Sequence, residues 1–463
     1  MKKYLPLVVL ILSLVFYTIL SAKEWTWLFV SSDSGDWLAA SQMWMVPQPM
    51  GSPLYILFGQ GLNILPGELA LKMTLVLSCL ASAVTVTMVF LIVRRLTNSL
   101  LISIACSVLL LGSAVFLTQS TVLEEYALVT MFATVAFWWY ITDHRKLVGL
   151  FLGFAITVHI FALILLLLWA TILWREWKKW LKPALITLTV TIAFYSVIPL
   201  LMYLDTPRLL AGDLSVSSLK TYLFDITGGI VGTMSIFEVP KRFLNIGMIL
   251  IVSFSVGLIP VVKAIKPISS MKLMLISNVV FILWYVLTTI DPITWTYIMF
   301  IAPSVAILCG LGLTKYEKKF VYSVLAVSLI LTGLNTFYLN ADRLIQTHFL
   351  ANRYYHELMC LPNGSIVVTT PGAYSLGMFY VMSEGKDLIP LIYPYLDEWE
   401  FEDYATWLEV KYGIIGDDTI TIIKRNLGNV FYAQTPGSIN DIVTQLVLSG
   451  NEYSLVRKVE GVK

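Results

Sequence analysis

Two carboxylates open the chemically interesting part of the chain. Asp33 and Asp36 stand three residues apart in Ser32-Asp33-Ser34-Gly35-Asp36-Trp37, a spacing that on a helix puts both on one face. Trp37, Leu38, Met43, Trp44 and Met45 follow, as in a helix lying in a membrane interface. A carboxylate held there could serve as a general base for a hydroxyl within hydrogen-bond reach; Asp33 equally suits the N-cap of a short helix. A second pair, Glu124-Glu125, precedes Tyr126 at the head of an apolar run. It complements a helix N-terminus or forms part of a site. His159 interrupts another apolar run. Ionisable groups at membrane depth are functional candidates by default, although a His bonded to a backbone carbonyl in a broken hairpin is the structural alternative. Asp213, Asp225 and Asp291 are further acids. Lys72 and Arg242, with Arg208, Lys220 and Lys241, are the cations available to a developing anion; at the mouths of spans Lys72 and Arg242 can also simply snorkel.

These residues must be positioned by a membrane bundle. The 463-residue chain is 58% hydrophobic and only 13% charged, with a mean hydropathy of +0.80. Soluble domains carry about 25% charge, so a cytosolic enzyme, a disordered chain and a secreted disulfide scaffold are excluded. Apolar runs of span length, about 20 residues, cover Tyr4–Leu20, Leu69–Val93, Leu100–Phe116, Tyr126–Thr142, Ala184–Leu204, Phe243–Val262, Leu273–Ile290, Tyr297–Leu313 and Phe320–Leu339. The run between Lys146 and Trp174 is about 40 Å long as helix, short for two spans and long for one. Lys and Arg in the short loops all fall on the cytoplasmic side if the N-terminus is cytoplasmic and this run is a broken hairpin entering and leaving there, with His159 near its turn. One tilted span would instead place Lys315–Lys319 outside. Met1–Leu20 also has the basic start and apolar run of a signal peptide, but reads as an uncleaved first span. The acids then gather outside.

From about Ala341 polar residues return. Gly364–Thr370, Asp387–Tyr393, Asp418–Ile423 and Asn451–Val459 read as strands, and Tyr404–Tyr412 and Ile439–Ser449 have helical spacing. The division expected is a membrane domain over 1–340 and an extracytoplasmic soluble α/β domain over 341–463. Cys79, Cys106 and Cys309 lie in apolar runs and Cys360 in the tail, without metal-type spacing. A net charge of +2 gives no argument for nucleic acid.

The order of motifs resembles the GT-C glycosyltransferase superfamily, and within it the protein O-mannosyltransferase-like membrane family first catalogued as a domain of unknown function. Asp33 matches the family's catalytic acid after the first span, and Asp36 stands where Glu is usual. Pro47-Gln48-Pro49-Met50-Gly51-Ser52-Pro53-Leu54-Tyr55 resembles His-Pro-Pro-Gly-Tyr-Pro-Leu-Tyr, with Gln48 replacing the His. Thr118–Leu128 resembles Ser-Gln-x-x-x-x-Glu-x-Tyr-Ala-Leu, with Glu124 and Tyr126 on the family positions and Glu125 this chain's own. Val158-His159 resembles an Asn-His. Gly212-Asp213 and Phe224-Asp225-Ile226-Thr227-Gly228 resemble a large outer loop, and Asp291 with Tyr297 an Asp-then-Tyr pair before a later span. Lys72 stands where the family often has Arg.

The resemblance implies a mainly α, polytopic membrane bundle of GT-C type with about 11 membrane helices, bearing the small C-terminal α/β domain. It implies an inverting glycosyltransferase that moves a hexose such as mannose from a polyprenyl-phosphate carrier to a protein or glycan hydroxyl at the outer face. Asp33 would be the base. Asp36, Gln48, Lys72, Glu124, Glu125, Tyr126, His159, Asp213, Asp225, Arg242, Asp291 and Tyr297 would bind donor or acceptor. No metal is expected, although Mg²⁺ or Mn²⁺ would suit Asp33, Glu124 and Asp291 if they converged. The other classes open to such a chain are a flippase for lipid-linked glycans, against which the absence of a repeat speaks, and a non-catalytic accessory of envelope glycan assembly.

Overall fold

A computed structural model describes residues 4–21, 52–62, 64–65, 67–205, 238–264, 269–288, 295–346 and 359, together with the strand residues of the C-terminal part. The helices are α1 (Leu5–Leu20), α2 (Pro53–Leu62), α3 (Gly67–Thr97), α4 (Leu100–Leu111), α5 (Ala114–Ser120), α6 (Tyr126–Ile141), α7 (Arg145–Val158), α8 (Ala162–Ile172), α9 (Trp177–Asp205), α10 (Glu238–Phe254), α11 (Leu258–Ala264), α12 (Ser270–Thr288), α13 (Trp295–Ile298), α14 (Ala302–Leu313) and α15 (Lys318–Gln346). Within the described residues the apolar runs read from the sequence fall on helix, with breaks inside Leu100–Phe116 and inside the run between Lys146 and Trp174.

Among the described residues, Lys72–Thr97, Pro240–Ala264 and Lys318–Asn340 are long and apolar enough to cross a membrane unaided. α4 and α5 together make a fourth such segment, bent by 65°. The sequence reads Leu100–Phe116 as one run, because hydropathy is continuous through it. The break comes at Gly112-Ser113, a Gly/Ser pair of the kind that kinks helices. Helix ends leave carbonyls without intrahelical partners, and lipid offers none. Here other helices supply them. Tyr17 Oη of α1 donates to the Leu111 carbonyl (3.2 Å), and Asn335 Nδ2 of α15 donates to the Gly112 carbonyl (2.8 Å). A Cβ on Gly112 would lie 1.8 Å from Thr332 Oγ1, so only glycine admits α15 this closely.

The second break falls within the run between Lys146 and Trp174. α7 ends at Val158, His159 takes an extended conformation (φ −154°, ψ 123°), and α8 begins at Ala162. α7 packs on α9 through Gly149 and Gly153, spaced as in close-approach membrane pairs. A Cβ at Gly149 would meet the Pro183 carbonyl oxygen at 2.2 Å, and one at Gly153 the Val190 side chain at 2.8 Å. Thr187 Oγ1 bridges the seam by donating to the Gly149 carbonyl (2.9 Å).

The outward faces are apolar, as a lipid-facing surface requires. Leu181, Leu185, Leu188 and Ile192 form an exposed stripe along α9, and Phe243, Leu244, Met248 and Ile251 another on α10. Cys79, Cys106 and Cys309 are buried free thiols. On the side assigned to the cytoplasm, Lys263 Nζ lies 4.0 Å above the Tyr316 ring, and burial together with the nearby Lys315 charge lowers the pKa of Lys272.

In the C-terminal part, β1 (Ser365–Thr369), β2 (Leu388–Ile392), β3 (Ile420–Asn426), β4 (Asn429–Phe431), β5 (Pro436–Gly437) and β6 (Tyr453–Val456) join in one sheet of order β2-β1-β6-β3-β4, with β5 beside β3. β1 pairs with β2 in parallel and with β6 antiparallel. Four of these strands fall on the runs read as strands; the expected helices at Tyr404–Tyr412 and Ile439–Ser449 lie outside the described residues.

Candidate active site

Among the described residues, the buried acidic and basic side chains are Glu124, Glu125 and His159, the two glutamates at 0% exposure. The fold brings the three together. The 65° bend turns α5 away from the line of α4, and the segment Thr121–Glu125 then delivers both glutamates to the head of α6. Glu125 is the N-cap residue of α6, and its carbonyl accepts from Leu128 N–H (3.0 Å) and Val129 N–H (3.1 Å). Ser78 Oγ of α3 donates to the Glu124 carbonyl (3.3 Å), tying the segment to the longest helix.

His159 reaches the same place from the break between α7 and α8. Its Nδ1 accepts the Phe161 backbone N–H (3.1 Å), so that nitrogen carries no proton and the ring proton of the neutral imidazole resides on Nε2. Nε2 in turn faces Glu125 Oε1 at 3.8 Å. The turn thus sets the tautomer, and the tautomer aims an N–H at the carboxylate.

Aromatic rings close around this pair. The Tyr126 ring centroid is 5.6 Å from that of His159, 5.6 Å from Tyr297 and 5.7 Å from Phe300. Tyr297 also lies edge-on to His159 (6.1 Å) and 5.1 Å from Phe161. Tyr297 is half-buried while its neighbours are buried, so it forms the outward lid of the cluster. Tyr55 of α2 lies under the charges of both glutamates; burial first, then Glu125 and Glu124, raise its phenol pKa well above the ordinary tyrosine value. Its hydroxyl is therefore a proton donor beside two carboxylates.

Five of the residues selected from the sequence therefore converge: Glu124, Glu125, Tyr126, His159 and Tyr297. Lys72 is exposed on α3 and Arg242 half-buried on α10, each near the start of a membrane-length segment. Asp33, Asp36, Gln48, Asp213, Asp225 and Asp291 lie outside the described residues. Tyr55, Phe161 and Phe300 were not selected. Tyr55 ends the Pro53-Leu54-Tyr55 motif, which was its signal; Phe161 and Phe300 read as ordinary apolar residues. Among the described residues, no group of three His, Cys, Asp or Glu side chains is placed to hold a metal ion.

The stretch that carries most of this geometry has a family match. Residues 33–182 match the model of the protein O-mannosyl-transferase TMEM260 N-terminal domain. Over that stretch the chain resembles the protein O-mannosyl-transferases. The matched segment starts at Asp33 and contains Glu124, Glu125, Tyr126 and His159. No curated protein is similar enough in sequence to count as a relative. The structure is similar to crystal structures of ArnT from Cupriavidus metallidurans. The form bound to undecaprenyl phosphate has a TM-score of 0.61 at 10% identity, covering 100% of this chain and 99% of that one. The apo form has a TM-score of 0.62 at 10% identity, covering 99% and 100%. At that identity the likeness is one of fold. The long apolar helices mark a membrane protein with the ArnT fold.

Proposed function

We propose that the protein is an inverting glycosyltransferase that moves a hexose such as mannose from a polyprenyl-phosphate carrier to an acceptor hydroxyl, on a protein or a glycan, at the extracytoplasmic face. The observation that carries this reading is the meeting of Glu125, Tyr126 and His159, all inside the segment matched to an O-mannosyl-transferase domain, with Tyr297 closing on them from outside it. A flippase would place its polar groups across two matched halves; among the described residues the buried charges sit in one cluster. The ArnT fold, in a crystal structure that holds undecaprenyl phosphate, supports a lipid-phosphate donor.

In the proposed reaction, Asp33 accepts the proton of the acceptor hydroxyl as its oxygen attacks the anomeric carbon. The carbon–phosphate oxygen bond breaks, and the electron pair leaves on the polyprenyl phosphate. Lys72 and Arg242, on the outer side with Asp36, Gln48, Asp213, Asp225 and Asp291, would hold the phosphate and the sugar hydroxyls. The Glu125–His159 pair would support this site from within the bundle. No step uses a metal ion. The N-terminus is assigned to the cytoplasm, residues 1–340 to the transferase domain and 341–463 to an outer α/β domain; the basic short loops support the orientation, and β1–β6 support the tail's assignment.

The test is transfer from short-chain polyprenyl-phosphate hexoses to a mixed acceptor extract, run with wild type and Asp33→Asn. Transfer by wild type that is lost in a folded Asp33→Asn supports the reading. Equal transfer in both removes Asp33 from the role of base. Donor binding without transfer in either favours the accessory or flippase reading.

A further inference from the structure

A cavity lies in the apolar interior, away from the carboxylate pair. It has a volume of about 30 Å³ and lies between α6, α8, α12 and α14, with Phe300 on its wall. Thr130 and Thr134 of α6, Trp169 of α8, Asn278 of α12 and Ser304 of α14 give it polar groups. Two of these are orphaned. Asn278 Oδ1 and Trp169 Nε1 are buried without a hydrogen-bond partner, and the residues are 7% and 3% exposed. One is an acceptor and the other a donor. The Thr130 and Thr134 hydroxyls already donate, to the Tyr126 and Thr130 carbonyls (2.8 and 2.7 Å), which leaves their oxygens free to accept. A cavity needs about 10–15 Å³ to hold one water, and the water needs two to four polar partners. The lining here is mostly apolar, and the two orphaned groups are what a water there would satisfy.

We propose that the cavity is a site for an ordered water molecule that accepts from Trp169 Nε1–H and donates to Asn278 Oδ1. The second water proton goes to Ser304 Oγ or a threonine oxygen. The water ties α8, the helix after the His159 break, to α12 and α6. Phe300 separates it from Tyr126 and His159, so it braces the helices beneath the cluster and takes no part in transfer.

The direct test is a density map of the full-length protein in lipid nanodiscs, at a resolution that shows ordered water. Density within hydrogen-bond distance of both Trp169 Nε1 and Asn278 Oδ1 is expected; an empty cavity overturns the proposal. A double-mutant cycle with Asn278→Leu and Trp169→Phe, read as melting temperature, gives a second reading. With a bridging water each variant melts lower, and the double variant melts close to the worse single one, because either change already releases the shared water. A melting temperature raised by Asn278→Leu, or two shifts that simply add, overturns it. If a variant does not fold, the wild-type map alone decides.

Discussion

His159 holds Nε2 3.8 Å from Glu125 Oε1 because its other ring nitrogen accepts the backbone N–H of Phe161. A bond two residues long, inside a helix break, therefore fixes the direction of a contact with a helix that begins 33 residues earlier. Removing either side chain leaves the other buried. We expect His159→Gln and Glu125→Gln each to lower stability, and the double variant to lose less than their sum, with a coupling of about 0.5–3 kcal/mol. Chemical denaturation of the four proteins in one detergent measures it; strict additivity would mean that the two side chains do not interact.

Asp33→Asn is expected to lower transfer by about 10²–10⁴-fold, the range of general-base catalysis, with an unchanged melting temperature. Glu125→Gln should also lower transfer, but with a lowered melting temperature. The two variants are thus separable by comparing turnover with stability in the same preparations.

Gly112 and Gly247 offer a contrast on one assay. Alanine at Gly112 puts its Cβ 1.8 Å from Thr332 Oγ1 and 2.8 Å from Thr332 Cα, whereas nothing lies within 4 Å of a Cβ at Gly247. Overpacking of a tight contact costs about 1–3 kcal/mol, and Gly to Ala in an open helix position gains up to about 1 kcal/mol. Gly112→Ala should therefore melt below wild type, and Gly247→Ala at or above it. The reverse order in a thermal-shift experiment would refute the packing of α15 on the bend.

The α7–α9 seam makes a graded prediction. At Gly149 the obstacle is the Pro183 backbone, which cannot give, and at Gly153 it is the Val190 side chain. Gly149→Ala should lose more stability than Gly153→Ala. Val190→Ala should partly rescue Gly153→Ala and leave Gly149→Ala as it is, read by unfolding of each pair.

The helices were legible because lipid demands long apolar runs, and the break at His159 because one run had the wrong length. The bend at Gly112 was not, since Leu100–Phe116 stays apolar apart from small residues, Ser103, Ser107, Gly112 and Ser113. Gly112-Ser113 permits the bend, but what packs on it, Thr332 and Asn335, is distant in sequence. Glu124-Glu125, Tyr126, His159 and Tyr297 were each singled out as sequence oddities, but their meeting depends on two helix breaks that only the fold supplies. Phe161 and Phe300 carried no signal, because in a chain this apolar a phenylalanine distinguishes nothing.

The Asn335–Gly112 hydrogen bond spans 223 residues, and that separation has a consequence for biogenesis. The ribosome delivers α4 long before α15. Throughout that interval the Gly112 carbonyl, in the midst of a membrane-embedded segment, lacks the amide that will cap it. The elbow ahead of Glu124 and Glu125 thus reaches its final form only when the last helix inserts. A nascent chain stopped before residue 335 would present an unfinished elbow to the membrane quality-control machinery, and a complete one would not.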